Sequence, residues 1–231
     1  MTISISVIIP VGTGEESWRD LLPQLDHKAV YEVILAIGEA HTAEKFEHHN
    51  ISWIAKGNGR AEQMNAAAHE ATGEYLWFLH ADSRLTEGLI DHLVEAVEIL
   101  PEALHYHDLE FADDGPWLMW VNALAVRVRS EVLGMPFGDQ GFCLSAKLFE
   151  RLGGFPEDVE YGEDHLLIWK AHQNGVACRR TNAKIVTSAR KYRMNGWGAT
   201  TSRHLWLTYK QAWPEFVKLW RIRLGLEKSH L

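Results

Sequence analysis

Four short polar clusters in this chain carry side chains that could do chemistry. Asp82, preceded by His80-Ala81, follows the apolar run Tyr75 to Leu79. A lone carboxylate beyond a buried strand can hold Mg²⁺ or Mn²⁺, which take few protein oxygens and leave room for substrate phosphates. Asp82-Ser83 is equally ordinary turn chemistry. Glu163-Asp164 opens a helical pattern. An ionised carboxylate there can accept a hydroxyl proton, typically worth about 10²–10⁴ in rate. Asp is also a favoured helix cap, and the helix dipole weakens it as a base. Gly138-Asp139-Gln140-Gly141 reads as a site loop or as a plain turn. Gly57-Asn58-Gly59-Arg60 can cradle an anion at the start of the next helix. It is neither a G-x-G-x-x-G fingerprint nor a Walker loop, which argues against nicotinamide or ATPase chemistry.

Other clusters carry less. The thirteen histidines are scattered. His105 and His107 would share a strand face, as metal ligands do, but no third ligand is evident. No Gly-x-Ser-x-Gly elbow is present for an acyl hydrolase. Cys143 and Cys178 lack CxxC or zinc spacing and read as small buried hydrophobes in a reducing compartment.

The elements that must position these groups alternate through the first hundred residues. Strands are predicted at Ser4–Val11, Tyr31–Ile37, Ile51–Ala55 and Tyr75–Leu79. Helices are predicted at 15–25, 42–48, 61–71 and 88–100. Ala61, Met64, Asn65 and Ala68 would form the sheet-facing side of the third helix, and Leu89, Leu93, Val97 and Leu100 that of the fourth. Strand–helix alternation predicts an α/β fold with a mostly parallel sheet flanked by helices. The second half breaks the rhythm. It reads as a strand at His105–Phe111, an apolar helix at Trp117–Arg129 and a strand at Phe142–Leu144. Helices at Ala146–Leu152 and Glu163–Asn174 and a strand at Lys184–Thr187 follow. A helical tail from Ser202 to Leu224 is expected to break at Pro214.

Composition bounds the rest. A length of 231 residues suits one large domain with an appendage, here divided into 1–190 and a basic, Trp-rich helical tail at 191–231. Net charge is −8, unevenly spread: residues 190–231 carry +7 and residues 1–189 carry −15. An acidic body argues against nucleic acid as a partner. The tail could pack on that body, meet a second subunit, face an anionic membrane or touch ligand phosphates. Its Trp residues suit core or interface better than a cofactor site. With no basic leader or long apolar segment, a cytoplasmic location is expected, with peripheral contact at the inner membrane face as the tail's alternative.

Taken in order, the motifs resemble those of family-2 glycosyltransferases, inverting enzymes of the GT-A (Rossmann-like) fold. They are Ser6-Val-Ile-Ile-Pro-Val11, Gly59-Arg-Ala-Glu-Gln-Met-Asn65, Ala71 to Asp82, Gly138-Asp-Gln-Gly141, Gly153-Gly-Phe-Pro156, Glu163-Asp164 and Thr187-Ser-Ala-Arg190. The resemblance covers about four-fifths of the chain. It points to a compact bacterial subgroup in which His-Ala-Asp replaces Asp-x-Asp. The resemblance implies a nucleotide-sugar donor, with Asp82 ligating Mg²⁺ or Mn²⁺ on its diphosphate. Asp164 would be the catalytic base and Glu163 its helper. Arg60, Asn65 and His80 would lie near the donor, and Asp139 and Gln140 on the acceptor side.

Two positions depart from that pattern. Ile37 stands where the family usually carries a base-contacting Asp, and the first loop, Gly12-Thr-Gly-Glu15, lacks the usual Asn-Glu. Glu15 or Glu16 is the candidate substitute in the first loop, and Glu39 the one for Ile37. The leading expectation is a metal-assisted inverting transferase of hexosyl type acting on an acceptor hydroxyl. The alternative is a non-catalytic binding or regulatory protein that has lost donor recognition, which a shared fold leaves open.

Overall fold

The computed structural model describes residues 3–38, 50–57 and 59–228. The helix expected at 42–48 lies outside the described residues, as does Glu39. The apolar runs of the first half become neighbouring strands. β1 (Ile5–Val11), buried along its whole length, pairs in parallel with β2 (Val30–Ile37), which carries β3 (Ile51–Ala55) in parallel beyond it. On the other side of β1 lies β4 (Tyr75–Phe78), also parallel. β5 (Arg84–Leu85), β6 (Leu104–Phe111), β7 (Phe142–Ser145) and β8 (Cys178–Thr187) complete an eight-stranded sheet of order β3-β2-β1-β4-β7-β6-β8-β5. β7 runs antiparallel to β4 and β6, and β5 antiparallel to β8.

Both faces of the central strands β1 and β4 are covered, which is why these two read as nearly unbroken apolar runs. Side chains alternate across the pleat into two cores. Leu76 and Phe78 of β4 join Ile8 and Ile34 beneath α2 (Arg60–Glu70). Tyr75, Trp77 and Leu79 join Ile9 and Leu35 on the other face. There they meet Trp18 of α1 (Trp18–Leu21) and Leu93 of α3 (Leu89–Ile99). The chain continues through α4 (Met119–Val132), α5 (Ala146–Arg151), α6 (Glu163–Gln173), α7 (Arg190–Asn195) and α8 (Trp197–Arg223).

Several boundaries differ from expectation. The last strand begins at Cys178 rather than Lys184. Its polar stretch Arg179–Asn182 hides the pattern, and Asn182 takes a left-handed φ of 59° where the register against β6 shifts. α2 turns Ala67, not Ala68, fully inward. Leu100 lies past α3 and is 37% exposed, while Ile90 is buried in its stead. The first predicted helix is a single α-turn followed by a 3-10 turn at Leu22–Leu25.

The tail helix does not break at Pro214 but runs through it. Proline removes the bond to the carbonyl four residues back, that of Lys210. Both Lys210 and Pro214 are exposed, so water can satisfy that carbonyl. On the inner side, Leu219 and Ala212 pack into the core on both flanks of the proline and hold the two halves in line.

Candidate functional site

The site is built where α2 begins. β3 ends at Ala55 and the chain turns into α2, so Arg60 stands on the carboxyl edge of the parallel strands, the edge at which ligands bind in open α/β sheets. β4 delivers His80 and Asp82 to the same edge. Arg60 Nη1 lies 3.2 Å from His80 Nε2, and Arg60 Nε donates to Glu163 Oε1. Glu163 is 6% exposed, so this ion pair fixes the first turn of α6 against α2 across 103 residues of sequence.

Asp164, next in α6, accepts a hydrogen bond from the Gly138 N–H at 2.5 Å. The approach needs glycine: a Cβ at position 138 would sit 2.9 Å from Asp164 Oδ2. Gly162 is needed as well. It caps α6 with a φ of +73°, and a side chain there would strike Gln211 of α8. The other three sequence clusters thus converge on Arg60.

Charge is unevenly placed in this cluster. Burial alone would raise the pKa of Asp164, but the Arg60 guanidinium and the N–H groups of Gly138 and His165 outweigh it and hold the carboxyl below its ordinary range. Burial, and then Arg60, push His80 down, so its imidazole is neutral and can accept from Arg60. Burial raises Asp139 to about 6 despite Arg129, and Asp164 adds to the rise. Asp139 Oδ1 is buried without a hydrogen-bond partner. Burial also raises Asp82, with Glu15 adding to the rise and Arg190 and Lys191 opposing it.

Other expected site residues have different neighbours. Glu15 accepts from Arg190 Nη2 at 2.7 Å and from the Ser17 N–H at 2.9 Å, tying the first loop to α7 beside Asp82. Asn65 is not brought into the Arg60 cluster. Its Oδ1 accepts from the Phe155 N–H at 3.0 Å and its Nδ2 donates to the Phe155 carbonyl at 2.8 Å, clamping the loop before α6. Gln140 is buried. It donates to the His107 carbonyl and accepts from Ser130 Oγ and the Phe137 N–H, which locks the turn that presents Asp139.

His105 and His107 are both buried, bonded to the Leu100 carbonyl and to Thr181 Oγ1. Among the described residues no group of three or more His, Cys, Asp or Glu could hold a metal. Ile37 is 3% exposed and pairs with Val11 and Ala55, and its side chain offers no polar atom to a ligand.

Three basic residues escaped the sequence reading of the site. Arg190 and Lys191 act on Asp82, and Arg129 acts on Asp139 while lying 3.4 Å from the Phe137 ring centroid. Arg190 was signalled twice, as the end of Thr187-Ser-Ala-Arg190 and as the first charge of the basic tail. Arg129 carried no signal, since it reads as one more charge in an apolar helix.

Comparison with known proteins gives a family and a fold. The sequence model described as Glycosyl transferase family 2 matches residues 6–149. Among solved structures, S. aureus TarS 1-349 in complex with UDP-GlcNAc has a TM-score of 0.59 at 17% identity, over 80% of this chain and 58% of that one. TarS 1-349 alone gives 0.59 at 16%, over 80% and 60%. A further TarS structure gives 0.58 at 16%, over 80% and 37%. This chain therefore spans at most three-fifths of those proteins, and at such identity the likeness is one of fold. No curated protein gives a match.

Proposed function

Because the chain belongs to glycosyl transferase family 2, with its mixed α/β GT-A architecture, we propose that it is an inverting, metal-assisted transferase. It would move a sugar, of hexosyl type, from a nucleoside-diphosphate donor to an acceptor hydroxyl. The observation that carries this reading is the convergence of Arg60, Glu163, Asp164 and Gly138 on the strand edge that also bears Asp82.

The donor diphosphate would lie over that edge, with His80-Ala81-Asp82 in the place of Asp-x-Asp. Asp82 suits Mg²⁺ or Mn²⁺. Burial penalises its charge, which a cation would offset, and Mg²⁺ accepts one or two carboxylates when phosphates and water complete its shell. When bound, the metal supplies positive charge against the leaving diphosphate. Arg190 and Lys191, which already act on Asp82, add to that charge.

Asp164 is the proposed base. Arg60 and the Gly138 N–H keep it ionised and oriented. The acceptor oxygen attacks the anomeric carbon as the bond to the diphosphate oxygen breaks. The electron pair leaves with the nucleoside diphosphate and the hydroxyl proton passes to Asp164. One displacement inverts the centre. Glu163, whose Oε1 accepts from Arg60 Nε, is a positioning residue.

Titration calorimetry with UDP, GDP and dTDP, with and without Mn²⁺, tests the donor and metal together. Tighter binding of one of them with Mn²⁺, lost in Asp82→Ala, supports the reading. One observation favours a second reading, a binding or regulatory protein without transfer: buried, apolar Ile37 leaves the usual base contact unmade. Absence of metal-dependent binding for all three nucleotides would select it.

A further inference from the structure

The geometry points to the outer face of α8 as a docking surface for an anionic lipid bilayer, an inference independent of the proposed transfer reaction. α8 is two-sided. Its inner face packs on the body through Leu219 and Ala212, with Gln211 hydrogen-bonded to His165 and to the Tyr161 carbonyl. At 100° per residue, Trp206, Tyr209, Trp213 and Trp220 share an outward sector of about 60°, with Phe216 at its edge, where its ring also meets Trp169 of α6 at 6.5 Å. Trp206, Tyr209 and Trp213 are 59%, 66% and 57% exposed. The rings form a ladder, with centroids 6.3 Å apart for Tyr209–Trp213, 6.4 Å for Trp213–Phe216 and 6.2 Å for Phe216–Trp220. A contiguous aromatic row in water marks an interaction surface rather than scattered surface apolarity.

Charge decides the occupant. Arg203 and Lys210 flank one side of the row and Arg223 the other, all exposed. Lys210 Nζ sits 5.3 Å from the Trp206 ring centroid, and the Arg223 guanidinium 5.7 Å from that of Trp220. The two acids of the tail are engaged elsewhere: Glu215 accepts from Gln173, and Glu227 pairs with Arg221. Amphipathic rings rimmed by cations match the headgroup layer of an anionic bilayer, where Trp and Tyr partition and Lys and Arg reach phosphates.

A second copy fits less well, because twofold packing of two such faces sets cation against cation. The −15 body is repelled by the same lipid surface that attracts the +7 tail, which fixes the orientation. α4 lies against the start of α8, with Trp197 Nε1 donating to Asn122 Oδ1 at 2.7 Å, and exposes a second apolar row at Trp120, Leu124 and Val128. No helix among the described residues is long and apolar enough to cross a membrane, so the contact is peripheral.

Flotation of the full chain with phosphatidylcholine vesicles, with and without phosphatidylglycerol, tests this. Binding is expected to the anionic vesicles at low salt, at least about tenfold weaker to neutral vesicles and in high salt. Trp206→Glu with Trp213→Glu, and separately Arg203→Glu with Lys210→Glu, should each cut binding at least about tenfold. Their thermal midpoints should stay unchanged, since all four side chains are exposed. Absence of binding to anionic vesicles at low salt, or equal binding to neutral ones, overturns the proposal. So does a dimer that Trp213→Glu dissociates while vesicles capture nothing, which assigns the face to a second copy.

Discussion

At the residue scale, the site stores charge in two differently treated acids. Asp164 is held ionised, whereas burial first, and Asp164 next, push Asp139 to about 6. Between about pH 4 and 6 the folded chain therefore keeps a proton on Asp139 that the unfolded chain releases, and stability falls as pH rises through that window. Asp139→Asn, measured by urea unfolding in EDTA, should stabilise the protein by about 1–3 kcal/mol at pH ~7.5 and by almost nothing near pH ~4. An equal gain at both values would show that Asp139 ionises normally. Removing Arg60 acts oppositely, since it leaves Glu163 buried and unpaired. With the Arg60 side chain 40% exposed, Arg60→Ala should cost about 1–3 kcal/mol, and Arg60→Lys less. Asp164→Asn should leave donor binding intact and lower transfer by about 10²–10⁴. Equal transfer by that variant removes Asp164 as base. Residue types at strand and helix ends made Asp82, Glu163 and Asp164 legible as candidates. Asn65 and Gln140 carry the same signature as ligands, yet Asn65 ties down a loop 90 residues away and Gln140 a turn against His107. Those partners are fixed by tertiary contacts, which no local sequence pattern encodes.

At the element scale, legibility followed how much of each strand is buried. β1, β4 and the Val33–Ile37 part of β2 are nearly continuous apolar runs because helices cover both faces, and each strand lies within two residues of its expected bounds. β8 was half missed because Arg180 faces outward to Asp108 and Glu131, so its first half reads as a loop. In α8, propensity was overruled by packing. A proline costs a helix interior about 3 kcal/mol, but anchors on both flanks of Pro214 keep the helix continuous. Pro214→Ala should restore the bond to Lys210 and raise stability by about 1–2 kcal/mol, after allowing for the freedom alanine gives the unfolded chain. Thermal unfolding measures it, and a fall in midpoint would mean that the proline sets a bend the packing requires.

At the scale of the whole molecule, the division into 1–190 and 191–231 bears on how the acid pair is held. The tail is basic and outward-facing on one side, but its inner side reaches the start of α6. His165, one residue from Asp164, meets Gln211 Oε1 at 2.9 Å through Nδ1, while its Nε2 accepts from Trp169 Nε1 at 3.0 Å. We propose that 191–231 is an appendage the domain cannot discard, because this relay fixes the first turn of α6 from behind. Removing residues 197–231 would expose the core around Leu219 as well as break the relay, so truncation alone cannot separate the two effects. Gln211→Ala can, because it leaves Leu219 buried. Losing its hydrogen bonds should cost about 1–3 kcal/mol and speed amide exchange selectively at Glu163–His165. Exchange unchanged at α6 would mean that α8 only shields the core, and the tail's part in this molecule would lie wholly on its outer face.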